Sequence, residues 1–338
     1  MDHLRLYFSK PRRALLATLA AAAVLPWCAP SAHAQGSYPT KPIRFVIGFA
    51  AGGAADVVAR AVATELSRRL GQAVVVDNKP GAAAHIATQA LLSSPADGYT
   101  LLFAGLSLAT NPAMMADIGY NPETDLVMVS QLTAIPIVVF VPGKSPINSL
   151  QDLVAASKTK PGGLNFGSGG NGTSSHLGPE LLSRTMGFRY THVPYRGGAP
   201  ALQGLLGGET DVMFDIAVTP LLRANAEAGK IKFIGVMQKD PIASYSSIRS
   251  AGQQGIPPAT FMRSWQGIAV RKGTPPEIVA KLHATINAAL QSPEVIDRLV
   301  GAGTEVQGSA SPAEFQKLYL DELKRWTALI KAAGIKSE

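Results

Sequence analysis

The sequence predicts an α/β fold with a largely parallel sheet, divided between two domains. Two observations carry this. Strand-like and helix-like segments alternate along most of the chain, the pattern of repeated βαβ units. In addition, 338 residues, 46% of them hydrophobic and 16% charged, supply more core than one domain of ordinary size uses. The same composition excludes a disordered chain, which needs few apolar residues and high net charge.

Residues 1–34 stand apart from the alternation. Arg5, Lys10, Arg12 and Arg13 precede an apolar run over 14–27, and Ala32-His33-Ala34 forms an A-x-A site. This is the pattern of a secretory signal, with cleavage expected after Ala34 and export of the rest. The apolar run falls short of the roughly 20 residues of a membrane span. Bulky Trp27 ahead of Cys28 disfavours a lipid-anchored alternative, which wants a small residue there. The leader holds four basic residues and one acid, so the formal charge of +8 becomes +5 without it. Cys28, the one cysteine, leaves with it, and what remains has no thiol for a disulfide, a metal or a nucleophile.

Each later element has its own signal. Residues 43–49 form an apolar run of strand length; 54–70 place Val57, Val58, Ala61, Val62 and Leu66 at helical spacing before Gly71. Residues 74–77 read as a strand, 82–92 as a helix closed by Ser93-Ser94-Pro95, and 100–104 as a strand. The β-branched run 135–141, bounded by Pro136 and Pro142, reads as the passage into a second domain. There helices 149–157, 173–186, 199–206 and 219–228 alternate with strands 164–167, 191–194, 211–215 and 232–237. Residues 240–260 lose periodicity and read as a loop, followed by strand 265–270 and helices at about 275–290, 293–300 and 312–333. The first and last of these helices follow Thr274-Pro275-Pro276-Glu277 and Ser311-Pro312-Ala313-Glu314. In both, a hydroxyl cap precedes proline, with Glu three residues beyond the cap.

Two loops carry the chemistry. Phe49-Ala50-Ala51-Gly52-Gly53-Ala54-Ala55-Asp56 lies between a strand and a helix, where a glycine pair lets backbone approach a ligand and helix-start N–H groups attract an anion. Asp56 has two readings, a ligand contact or a brace that offsets the helix dipole and pairs with Arg60 one turn on. Gly167-Ser168-Gly169-Gly170-Asn171-Gly172 is again between a strand and a helix and matches G-x-G-x-x-G. No acid occurs between Glu180 and Glu209, so the carboxylate that a dinucleotide ribose needs is missing. A second anion cradle remains, with Thr173, Ser174 and Ser175 adding hydroxyls.

Catalytic readings find less support. Phe166 replaces the first glycine of a nucleophile elbow, and neither glycine loop leads to a P-loop lysine. The histidines after the leader, His85, His176, His192 and His283, lack metal-ligand spacing. Basic residues are dispersed rather than interleaved with aromatics, so nucleic acid is not an expected partner. No catalytic residue, metal or cofactor is assigned.

The chain resembles the Bug or TctC-type periplasmic substrate-binding proteins of tripartite tricarboxylate transport systems. The resemblance is carried by Tyr38-Pro39, Lys41-Pro42-Ile43, Phe49-x-x-Gly52-Gly53-x-x-Asp56-x-x-Ala59-Arg60 and Asn78-Lys79-Pro80-Gly81. It continues through Pro95-Ala96-Asp97-Gly98-Tyr99-Thr100, residues 167–176, His192-Val193-Pro194-Tyr195-Arg196-Gly197-Gly198-Ala199-Pro200-Ala201, Gly207-Gly208, Asp211-Val212-Met213-Phe214 and Gly273-Thr274-Pro275. It implies a two-lobed Venus-flytrap fold, type II-like, with lobe 1 at 35–135 and 240–338, lobe 2 at 136–239, and a ligand cleft between lobes. It further implies a monomer that captures a small carboxylate, a di- or tricarboxylate or an aromatic acid. The partner is a membrane transporter or, alternatively, a sensor; an exported hydrolase is the rival from another class. Carried over residue by residue, the first-lobe contacts are Phe49, Ala51, Gly52, Gly53 and Asp56, with Ser107 nearby. The second lobe gives Gly169, Gly170, Thr173, Tyr195 and Asp215. The sequence departs from the family where a glycine-rich stretch becomes Ala82-Ala83-Ala84-His85, and where residues 244–255 replace a Pro-x-x-Pro-Thr turn.

Overall fold

Strand β1 (Ile43–Ile47) passes through helix α1 (Ala54–Leu70) to β2 (Val74–Asn78), then through α2 (His85–Leu92) to β3 (Thr100–Gly105) and α3 (Ser107–Met114). A long strand, β4 (Leu126–Pro142), leads to α4 (Leu150–Thr159), β5 (Leu164–Ser168), α5 (Ser174–Met186), β6 (Tyr190–Pro194), α6 (Gly198–Leu206), β7 (Val212–Ile216), α7 (Pro220–Glu227) and β8 (Ile231–Val236). The chain closes with β9 (Arg263–Arg271), α8 (Pro276–Ala289), α9 (Pro293–Gly301), β10 (Glu305–Val306) and α10 (Pro312–Ala333). This computed structural model describes residues 38–336 except Ala50, Gly53 and Arg196. The expected leader with its cleavage site, Cys28 and Gly53 lie outside the described residues.

From Pro39 onward the chain forms one compact unit, built on two halves of sheet. In the first, β2, β1 and β3 run parallel, and β9 joins β3 antiparallel. In the second, β6, β5 and β7 run parallel. Strand β4 belongs to both halves. Its residues Leu126 to Pro136 pair with β9, and from Ile137 onward it pairs with β7 and β8. Buried on both faces, β4 sends Ile137, Val139 and Val141 into one hydrophobic cluster and Val138 and Phe140 into another. The two-residue period of a strand thereby explains an uninterrupted apolar run. Each large side chain buried there contributes roughly 1.5–3 kcal/mol. Helix α10 packs Phe315, Tyr319, Leu323, Trp326 and Ile330 inward, one stripe at helical spacing.

Several sequence expectations are corrected. The helix expected over 82–92 begins at His85; residues Ala82, Ala83 and Ala84 hold φ of 44°, 50° and 68°, left-handed backbone that no α-helix of L residues continues. Thr274 does not cap α8: its hydroxyl donates to Arg271 O at 2.8 Å and the N-cap position is Pro275. Ser311 does cap α10, accepting from the Glu314 N–H at 3.1 Å. Helix α3 and the first part of β4 carry no clear sequence signal. Pro112 lies inside the first, and two register shifts interrupt the second.

Candidate functional site

The candidate site residues lie on the strand-to-helix turns that follow β1, β3, β5 and β6 and, for Asp215, on β7. In the first half, the turn after β1 is braced by Asp56, which is 4% exposed. Its Oδ2 accepts from the Gly52 N–H at 2.9 Å and from Arg60 Nε at 2.8 Å, and its Oδ1 accepts from Asn78 Nδ2 at 2.9 Å. Hydrogen bonding to Arg60, with Gly52 and Asn78 adding to it, outweighs burial and holds the carboxyl down to about 2. Both Asp56 oxygens are thus engaged within the protein. Asn78 Nδ2 also donates to Phe49 O at 3.0 Å, and the half-exposed Phe49 ring sits edge-on to Phe103, centroids 6.2 Å apart. Ala51 and Gly52 lie exposed at the tip. Gly52 needs its glycine because φ is +85°.

Ser107 opens α3, and first-turn N–H groups have no intrahelical acceptor. Asn111 on the same helix donates to Ala83 O at 3.0 Å, and Ala84 packs so closely on Gly48 that a β-carbon there would lie 2.2 Å from the Ala84 β-carbon. At its far end α3 reaches the second half of the molecule. A β-carbon on Gly172 would fall 2.1 Å from Met114 Sδ.

The second cradle is closed upon itself. The Gly169 N–H donates to Ser175 Oγ at 2.9 Å, Gly170 N–H to Ser168 Oγ at 3.1 Å and Gly172 N–H to His176 Nδ1 at 3.2 Å. Thr173 Oγ1 donates to Gly170 O at 2.7 Å. The glycine amides therefore shape the loop. The N–H groups left for an anion are those of Ser174 and Ser175 in the first turn of α5. Beneath the loop, His176 and His192 stack with centroids 3.7 Å apart, and His192 Nε2 lies 2.7 Å from Ser168 Oγ. Burial, reinforced by His192, pushes His176 down to about 3. Ser168 is fully buried, which keeps its hydroxyl away from any substrate.

Close backbone approaches gather the rest of the second-half residues. A β-carbon on Gly169 would lie 3.3 Å from the Gly197–Gly198 peptide at the start of α6, and one on Gly170 would lie 3.5 Å from Tyr195 O. Asp215 Oδ2 stands 3.0 Å from the β-carbon position of Gly198. Its other oxygen accepts from the Ile216 N–H at 2.8 Å. Burial pushes this carboxyl up to about 6. Tyr195 turns its hydroxyl outward to Glu209 at 2.7 Å, so its backbone rather than its phenol meets the loop.

Phe49, Gly52 and Asp56 are thus one cluster, and Gly169, Gly170, Thr173, Tyr195 and Asp215 another, with α3 running from Ser107 to the second. Met114 stands in no motif of the sequence, and although Asn78, His176 and His192 fall within the family's motif segments, their contacts with Asp56, with each other and with Ser168 were not legible because each partner is distant in sequence.

The model of the tripartite tricarboxylate transporter family receptor matches residues 58–335. Protein BugT of Bordetella pertussis is 34% identical over 303 residues, covering 89% of this chain and 91% of BugT. Among solved structures, the periplasmic binding protein BugD aligns with a TM-score of 0.73 at 29% identity, covering 89% of this chain and all of BugD. R. palustris Rpa4515 with adipate aligns at 0.76 and 32% identity, covering 89% and 100%. MatC from Rhodopseudomonas palustris with bound malate aligns at 0.71 and 28%, covering 87% and 100%. The fold is accordingly that of a two-lobed periplasmic binding protein. By sequence, fold and the order of its glycine turns, the chain belongs to the tripartite tricarboxylate transporter receptor family, TctC.

Proposed function

We propose that this protein captures a small carboxylate between its lobes in the periplasm and presents it to the membrane subunits of a tripartite transporter. One observation carries the reading: the strand-to-helix turns after β3 and β5 present first-turn N–H groups, at Ser107 and at Ser174–Ser175, that have no intrahelical acceptor. Helix starts contribute about 0.3–1 kcal/mol each when exposed and up to ~2 when partly buried. Three or four charge-assisted hydrogen bonds at about 1.5–3 kcal/mol each bring the total near the ~8 kcal/mol of micromolar affinity once binding costs are subtracted. The malate and adipate held by the two relatives support this ligand class. The site residues are those of the two clusters together with Ser107, Ala51 and Gly53. The lobes are 35–135 with 240–338, and 136–239, joined where β4 changes partners and where the chain returns before β9. The ligand shifts the open-to-closed balance by its difference in affinity for the two states.

The test is a thermal-shift screen of the purified protein against di-, tri- and aromatic carboxylates, malate and adipate included, with the ligand recovered and weighed afterwards. A matching ligand at ~100 times its Kd stabilises by about 2.7 kcal/mol and returns unchanged. A panel without a shift, or a ligand chemically converted, overturns the reading.

A further inference from the structure

The first turn of α6 is open. Its N-cap position is Gly197, and no side chain caps it. Pro200 has no N–H, and the Ala201 N–H is the first to bond back, to Gly197 O. The N–H groups of Gly198 and Ala199 therefore have no intrahelical acceptor. Gly198 is partly exposed and Ala199 exposed. The turn adjoins the second glycine loop, because a β-carbon on Gly169 would lie 3.3 Å from Gly198 N.

An acid faces the same turn. Asp215 Oδ2 stands 3.0 Å from the β-carbon position of Gly198, whereas Oδ1 lies 3.8 Å away and accepts from the Ile216 N–H. Among the described residues neither a hydrogen-bond donor nor a cation answers Oδ2. Asp215 does not serve the helix as a cap either, since no side-chain bond reaches that turn. The residue keeps partial exposure and Oδ2 is not sealed from solvent, so a ligand can reach it. Burial holds the carboxyl up to about 6, still below neutral pH. There it is an anion without a counter-ion in a desolvated place, an arrangement that costs free energy until a partner arrives.

We propose that the α6 turn and Asp215 form one subsite of the cleft, for the ammonium–carboxylate end of an amino acid, and that Asp215 is the residue that selects it. The ligand's carboxylate takes the Gly198 and Ala199 N–H groups and the positive end of the helix dipole. Its ammonium, on the adjoining carbon, gives Oδ2 the donor and the counter-charge that the protein does not supply. A plain carboxylate offers nothing to Oδ2 and sets two like charges side by side. The inference rests on the reading of the cleft as a carboxylate site and narrows it to acids that carry an amino group beside the carboxylate.

The experiment is isothermal calorimetry at pH 7.5 with matched pairs that differ by the ammonium alone: aspartate and succinate, glutamate and glutarate, phenylalanine and 3-phenylpropanoate. At least one amino acid is expected to bind wild-type protein about tenfold or more tighter than its plain partner, the advantage of one charge-assisted contact. Asp215→Asn keeps the shape, removes the charge and is expected to cut that advantage at least about fivefold. Plain acids that bind as tightly as the amino acids, or an Asp215→Asn protein with the wild-type preference, overturn this proposal and leave the carboxylate reading in place. A protein that binds malate or adipate but none of these amino acids overturns it as well. One that binds no acid of either kind overturns both readings.

Discussion

Replacing Ala82 and Ala83 together by glycine should raise the stability of this protein, although alanine-to-glycine changes ordinarily lower it. Both residues are exposed and both sit at left-handed φ, 44° and 50°, so no buried methyl is lost. That conformation costs an L residue roughly 1–2 kcal/mol. Glycine removes the strain but gives back about 0.4–1 kcal/mol by loosening the unfolded chain. The double substitution is therefore expected to gain about 1–2 kcal/mol, and Tm is expected to rise by about 2–4 °C for a protein of this size. Ala84 supplies an internal contrast. It shares the positive φ, but its buried β-carbon packs against Gly48, so Ala84→Gly gains less or nothing. Calorimetric melting of the three proteins decides the matter. Had 82–84 continued α2 as the sequence periodicity predicts, each glycine would cost about 1 kcal/mol; an unchanged or lower Tm for the double variant refutes the left-handed turn.

Two further outcomes follow from buried ionisable groups. His176 is neutral in the fold, its pKa depressed to about 3 from 6.5. The stability it confers is complete above pH 6.5 and is lost as pH falls toward 3. Urea denaturation should show about 2 kcal/mol lost between pH 7.5 and 5, a loss that His176→Gln removes; equal pH slopes in the two proteins contradict this. Asp215 has the opposite sign, its pKa raised from 3.8 to about 6, so its carboxylate weakens the fold as pH rises from about 4 through 6. Asp215→Asn is expected to melt higher at pH 7, by roughly 1–3 kcal/mol, and to match wild type below pH 4, whereas a lower melt at pH 7 refutes the assignment.

How much of this was legible in the sequence depends on how far each feature reaches along the chain. Helix α1 announced itself because Val58, Val62 and Leu66 face one core at helical spacing and Gly71 ends it. The strand starts and ends shifted by a residue or two, as hydrogen bonding to neighbours settles them. The switch of β4 near Pro136 was visible as a β-branched run. Its first half was not, because Ser130, Gln131 and Thr133 are buried there with hydrogen-bond partners from other segments. Both glycine turns were legible from their glycine pattern between a strand and a helix. That their amides would be consumed by Asp56, Ser168, Ser175 and His176 was not, since a glycine pattern shows where backbone is exposed and says nothing of what it bonds. The left-handed alanines misled for a related reason: alanine is the best helix former, and only the contacts of Ala83 and Ala84 with Asn111 and Gly48 override it.

The central claim is that the loop over residues 168–173 shapes a carboxylate site, and Gly170→Val tests it most directly by isothermal calorimetry with the best ligand from the screen. The nearest atoms to a β-carbon at Gly170 are Tyr195 O at 3.5 Å and Thr173 Cγ2 at 4.0 Å. The protein therefore has room for a β-carbon there, while φ of +127° makes the valine reshape the loop. The account predicts a variant that still unfolds cooperatively and binds at least tenfold more weakly, a loss of about 1.4 kcal/mol or more. A folded Gly170→Val protein that binds the carboxylate as tightly as wild type contradicts it.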